Sequence, residues 1–171
     1  MADVPVFSWK GRTIVSGGQT GADRAALDWA CHNSIAHGGW CPKGRLATDG
    51  PLPLRYQLRE TESTGYRQRT KLNVKDSDAT LIFNIGVLDG GTLQTVLFAQ
   101  TLKKPYRVFP LDHGDLEGVA QEILKWLAQQ GFIVINVAGP REEKRPGIYA
   151  LVFAVLDLCL VAERSMLSVD I

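Results

Sequence analysis

Two short segments of this chain carry residue types that grip anions. The first reads Ser16-Gly17-Gly18-Gln19-Thr20-Gly21-Ala22-Asp23-Arg24 and the second reads Asp89-Gly90-Gly91-Thr92. Each follows an apolar run and opens a stretch with helical spacing. Glycine lets backbone approach a ligand closely, and the first turn of a helix offers free N–H groups at the positive end of its dipole. Gly17, Gly18, Gln19, Thr20 and Gly21 are therefore expected to hold one phosphate, with Asp23 and Arg24 beside them. Gly90, Gly91 and Thr92, with Asp89 before them and Thr95 one turn on, are expected to hold a second polar group. The plainer alternative makes each segment a capped turn: Thr20-x-x-Asp23 fits a capping box, and Thr92 fits an N-cap.

Familiar phosphate loops fit poorly. Ser16-x-Gly18-x-x-Gly21 resembles a dinucleotide fingerprint with Ser in place of its first Gly. No acidic residue closes the next strand to hold a ribose; Lys43 and Arg45 stand there instead. No Gly-Lys-Ser/Thr follows, so a P-loop is excluded. Lys43, Arg45 and Arg69 are expected to supply positive charge, since arginine suits bidentate contact with phosphate. Glu60, Thr61, Tyr66, Arg67 and Thr70 share a polar stretch with Arg69, and Arg141 and Lys144 follow the last strand. Each of these either faces the ligand or belongs to a solvated loop. Cys31, His32, His37 and Cys41 lack metal-ligand spacing, so no metal site is expected, and the thiols read as buried and structural. No Ser-His-Asp arrangement is evident.

The elements that must position these residues alternate. Apolar runs at Thr13–Ser16, Ala36–Cys41, Ala79–Ile85, Tyr106–Leu111 and Phe132–Ala138 predict five strands. Helical spacing covers Asp23–Asn33, Thr92–Leu102, Leu116–Gln130 and Pro146–Arg164. The polar stretch Thr48–Val74 reads as a long loop with one helix near its end. Ser77-Asp78, just before the third strand, suits a cap at the strand start. Alternation of this kind predicts a doubly wound, mainly parallel α/β sheet with helices on both faces and a ligand beyond the C-terminal strand ends. Strand order 2-1-3-4-5 would bring both glycine turns to one crevice.

Composition narrows the setting. The 171 residues suit one domain spanning 1–171, and a formal charge of +1 lacks the footprint of a nucleic-acid binder. Three unpatterned cysteines fit a reducing compartment. The N-terminus shows no secretory pattern, and the longest apolar stretch, Ile148–Ala162, is interrupted by Asp157 and too short to span a membrane. A cytoplasmic protein without membrane or nucleic-acid partners is expected. The helix at Ile148–Ala162 is expected to be half core and half homo-oligomer interface.

Five motifs in combination carry a family resemblance: IVSGGQTGADRAALDWA (14–30), HGGWCPKGR (37–45), YRQRTKLNVKDSDATLIF (66–83), GGTLQT (90–95) and NVAGPREEKRPGIY (136–149). Over nearly the whole chain from Thr13 to about Tyr149, the sequence resembles the putative molybdenum carrier family. That family lies in a Rossmann-like superfamily that also holds the LOG-type (lonely guy) nucleoside monophosphate phosphoribohydrolases and a molybdenum-cofactor carrier protein. The resemblance implies a Rossmann-like fold, oligomers, and binding of a nucleotide or a pterin-type cofactor such as molybdenum cofactor. The superfamily's first glycine turn maps onto Gly17, Gly18, Thr20 and Gly21, and its second onto Gly90, Gly91 and Thr92. The phosphoribohydrolases carry Gly-Thr-x-x-Glu with a catalytic Glu; here Thr95 stands in that place. Their catalytic Arg corresponds to Arg69. Loss of the carboxylate favours a carrier or sensor for a small phosphorylated ligand. The alternative is a nucleotide N-glycosidase, in which Arg69 and Asp89, or else Asp23, would carry the reaction.

Overall fold

The computed structural model describes residues 6–168. In chain order the elements are β1 (Thr13–Val15), α1 (Ala22–His32), β2 (Ala36–Gly38), β3 (Trp40–Cys41), β4 (Leu46–Ala47), β5 (Gly50–Pro51), β6 (Arg59–Glu60), α2 (Tyr66–Lys75), β7 (Ala79–Asn84), α3 (Gly90–Thr101), β8 (Tyr106–Pro110), α4 (Leu116–Gln130), β9 (Val134–Ala138) and α5 (Ile148–Leu167). The α/β alternation read from the sequence holds, as does the single helix expected near the end of the polar stretch.

Five strands form one sheet in the order β2-β1-β9-β7-β8, and every pairing in it is parallel. β7 is buried at all six positions and β9 at four of its five, whereas the edge strands β2 and β8 are partly exposed. A parallel strand flanked on both sides and covered on both faces reads as a continuous apolar run, and ATLIFN is one.

The order corrects the expected 2-1-3-4-5. Counted among the main-sheet strands it is 2-1-5-3-4, because β9 stands between β1 and β7. Thr13 pairs with Val134, and Ala79 pairs with Ile135. Asp78 fixes this placement. Its Oδ2 accepts from the backbone N–H groups of Ile133 at 2.9 Å and Val134 at 2.8 Å, and its own N–H donates to the Val134 carbonyl at 2.8 Å. Hydrophobic period identifies a strand as buried; it does not name its neighbours.

One face carries α1, α4 and α5. Ile14, Leu81, Phe83, Ile135 and Val137 point into a core shared with Trp29, Ile123, Leu127, Val152 and Leu156. On the other face α2 and α3 pack together around Val74, Phe98 and Ala99. Along α5, Ile148, Val152, Val155, Leu156 and Cys159 are buried, while Val161 is exposed. No helix among the described residues is long and apolar enough to cross a membrane.

Two further expectations change. The strand predicted over Ala36–Cys41 breaks at Gly39, whose φ is +124° and where a Cβ would lie 2.4 Å from the Ser16 carbonyl oxygen. Trp40–Cys41 pairs instead with Arg59–Glu60 in a separate two-stranded ladder. Cys31, expected to be buried, is exposed at the end of α1, with its Sγ 3.7 Å from His37 Nε2; Cys41 and Cys159 are buried.

Candidate functional site

The first glycine turn links β1 to α1 and is filled by the protein's own atoms. A Cβ on Gly17 would lie 2.0 Å from Arg69 Nη1, one on Gly18 2.7 Å from Leu52, and one on Gly21 2.4 Å from the Pro140 carbonyl oxygen. The Ala22 N–H at the start of α1 donates to that same carbonyl at 3.2 Å. The capping box expected of Thr20 and Asp23 does not form, and no side chain caps α1. Asp23 Oδ2 instead accepts from Arg69 Nη1 at 2.9 Å, and Thr20 Oγ1 donates to Glu143 Oε2 at 2.7 Å. The Arg69 guanidinium thus rests against Gly17 and pairs with a carboxylate that is 3% exposed.

The second glycine turn is open. Asp89 occupies the N-cap position without making a cap bond, and Thr92 falls inside the first turn of α3 rather than capping it. Nothing lies within 4 Å of a Cβ built on Gly91. The ammonium of Lys144 sits over Gly90 and pairs with Asp89 Oδ1 at 2.7 Å. Arg145 steadies the loop before α3: its Nε donates to the Ile85 carbonyl at 2.8 Å and its Nη2 to that of Val87 at 3.2 Å. Because β9 lies between β1 and β7, the Gly139–Arg145 loop bridges the two turns. Gly139 leaves no room for a side chain; its Cβ would meet Ala22 at 2.6 Å and the Phe83 carbonyl oxygen at 2.7 Å.

Between the turns lies a cavity of about 170 Å³. Gln19, Asp23 and Arg69 line one side, Gly90, Gly91, Thr92 and Thr95 the other, and Tyr66, Thr70 and the segment Ala138–Arg141 with Lys144 complete it. Three cations, Arg69, Arg141 and Lys144, face it against the single carboxylate of Asp23. Two lining residues carry a buried N–H without a protein partner, Gln19 at Nε2 and Arg69 at Nε. The Gln19 amide is oriented by its oxygen, which accepts from the N–H groups of Thr20 and Thr48, both at 3.0 Å. A buried donor left unpaired costs about 1–3 kcal/mol.

The two acidic residues at the turns titrate in opposite directions. Burial pushes the Asp23 carboxyl up, against the pull of Arg69. The hydrogen bond from Lys144 holds the half-buried Asp89 carboxyl down, with Arg145 adding to it. Thr95 Oγ1 donates to the Gly91 carbonyl at 3.0 Å, and its side chain is buried in the wall.

Of the residues singled out in the sequence, the cavity gathers Gln19, Asp23, Tyr66, Arg69, Thr70, Gly90, Gly91, Thr92, Thr95, Arg141 and Lys144. Gly17, Gly18, Thr20, Gly21, Arg24, Lys43, Arg45 and Asp89 lie outside its wall. Arg24 pairs with Asp49 at 2.9 Å and donates to the Gly18 carbonyl at 3.1 Å. Arg45 gathers the carbonyls of Leu52, Pro53, Leu58 and Tyr56, and so clasps the loop around it. Lys43 is exposed, and its N–H donates to the Ser63 carbonyl at 2.9 Å. Arg67 turns outward to Gln94, with Nη1 2.7 Å from Oε1. Thr48, in the sequence only the first residue of a polar stretch, meets Gln19 because the β4–β5 turn folds back, and no local pattern announces that contact.

Residues 14–160 match the circularly permutated YpsA SLOG family. The chain is also similar to a solved structure, described as a putative molybdenum carrier protein from Syntrophus aciditrophicus. The two are 47% identical with a TM-score of 0.84, over 86% of this chain and 94% of that one. No curated protein matches the chain.

Proposed function

We propose that this chain, which belongs to the circularly permutated YpsA SLOG family, is a cytoplasmic carrier or sensor that seats the anionic end of a small phosphorylated ligand between its two glycine turns. The observation that carries the reading is a cavity lined by Arg69, Arg141, Lys144 and the start of α3, in which Asp23 and Asp89 balance Arg69 and Lys144 and the lining residues Gln19 and Arg69 each keep a buried N–H without a protein partner. About 170 Å³ suits a phosphate rather than a whole nucleotide or pterin, so the organic part of the ligand lies toward the cavity mouth. The similarity to a protein described as a molybdenum carrier supports a pterin-type cofactor such as molybdenum cofactor as one ligand, and a nucleotide is the other. Among the described residues no three His, Cys, Asp or Glu side chains cluster as metal ligands. The reading therefore places no molybdenum on protein side-chain ligands.

Mass spectrometry of small molecules released from the purified protein, with molybdenum quantified in the same sample, tests this reading. A phosphorylated compound near one per chain is expected, and its loss from a folded Arg69→Ala variant. Release of none, together with failure to bind inorganic phosphate, would overturn it.

A second reading rests on Asp23. A carboxylate that lines the cavity and is held by Arg69 is a candidate catalytic group for base release, as an N-glycosidase acting on nucleotides would need. Asp89, which pairs with Lys144 outside the cavity wall, is less well placed for that role. Base release from nucleoside monophosphates that vanishes in Asp23→Asn, with binding retained, would establish the enzyme.

A further inference from the structure

Three segments far apart in sequence meet beside the first glycine turn. Thr20 comes from the turn itself, Thr48 from the β4–β5 hairpin, and Glu143 from the loop after β9. Thr20 Oγ1 donates to Glu143 Oε2 at 2.7 Å, and Thr48 Oγ1 lies 3.0 Å from both Glu143 Oε1 and Gln19 Oε1. The two hydroxyl oxygens are 3.3 Å apart. Thr48, Arg141, Glu143 and Lys144 line a shallow hollow, and Arg141 and Lys144 also line the main cavity, so the two spaces adjoin. The Thr20 hydroxyl holds the Glu143 carboxyl below its ordinary range, with Thr48 and Arg141 contributing. Lys144 is already paired with Asp89. A carboxylate therefore occupies a place built from two hydroxyls beside an arginine. Hydroxyl donors and a guanidinium are the same partners that receive phosphate oxygens.

The geometry points to Glu143 as a resident stand-in for a second anionic group. The ligand carries two linked phosphate-type groups, a diphosphate. One sits at Gln19, Arg69 and the start of α3. The other takes the Thr20 and Thr48 hydroxyls from Glu143 and faces Arg141. The empty protein then keeps its second subsite filled with its own carboxylate, and a ligand with one phosphate leaves that contact in place. This inference rests on reading the main cavity as an anion seat.

Calorimetric titration of inorganic phosphate and of pyrophosphate tests it, using wild type, Glu143→Gln and Thr48→Val, with folding checked by circular dichroism. Wild type is expected to bind both anions. Removing the competing charge in Glu143→Gln should tighten pyrophosphate about tenfold and phosphate by less than about threefold. Thr48→Val should lower the preference for pyrophosphate over phosphate about tenfold. Equal changes for the two anions in Glu143→Gln, or weaker pyrophosphate binding, would overturn the inference and make Glu143 a brace for the loop. Phosphate binding with that outcome leaves the anion seat standing. Absence of phosphate binding to wild type overturns both.

Discussion

The two glycine turns look alike in sequence and are used in opposite ways. At the first, the glycines make room for the protein itself: Arg69 against Gly17, Leu52 against Gly18, the Pro140–Glu142 backbone against Gly21. At the second, Gly91 faces open space at the start of α3. A glycine cluster after a strand therefore has two meanings, close packing or a ligand nest. The sequence around it does not separate them, because what fills the space comes from elsewhere in the chain.

Substitutions can break this contrast. The largest effect is expected at Gly21, where φ is +83° and a Cβ would strike backbone that cannot give way. Gly21→Ala should cost about 3 kcal/mol in urea unfolding. Gly17→Ala comes next, since its Cβ must push Arg69 off Asp23 and leave a buried carboxylate uncompensated. A loss of about 2 kcal/mol at neutral pH is expected, with phosphate affinity falling at least about tenfold. Unchanged stability at either position would mean that the first turn is as open as the second.

Gly91→Arg should act in the reverse sense. It places a long side chain in the open nest, so phosphate binding should vanish while unfolding shifts by no more than about 0.5 kcal/mol. Retained binding in the folded variant would remove the second turn from the site.

The smallest effect is in titration. Carboxyl carbon NMR should place Asp23 above 3.8 and Asp89 below it, following their opposite shifts. The raised Asp23 favours the fold below pH 3.8 and loses that contribution as pH rises through its folded-state pKa. The lowered Asp89 favours the fold above pH 3.8 and loses its contribution as pH falls through its folded-state pKa. Relative to Asp23→Asn, wild type should therefore gain stability as pH drops from neutral toward 4. A flat difference would show that Arg69 fully offsets the burial.

Much of the architecture was legible because it is local. Leu116–Gln130 follows from an amphipathic run stopped by Gly131, and the buried β7 from ATLIFN. The lining of the candidate cavity was legible in part: Arg69 ahead of a buried strand and Gly90-Gly91 after it both reach its wall. What escaped is long-range. Nothing in VINVA says that it lies beside Thr13–Val15 rather than at an edge. The Thr20, Thr48 and Glu143 contacts exist only once β9 has taken that place, since it carries the Glu143 loop to the first turn. Cys31 escaped for a smaller reason: it sits one position past the last buried residue of α1, where a few degrees of helix phase decide between core and solvent.

The central position of β9 also sets the order in which this chain can fold. Thr13 waits for Val134, so during synthesis β1 has only β2 beside it until most of the chain has left the ribosome. Pairing across so long a loop is slow. In the interval one side of β1 presents open backbone groups, an invitation to foreign strands. Chaperone demand on this protein should fall on the nascent chain, and truncations before residue 134 should aggregate rather than form a smaller sheet.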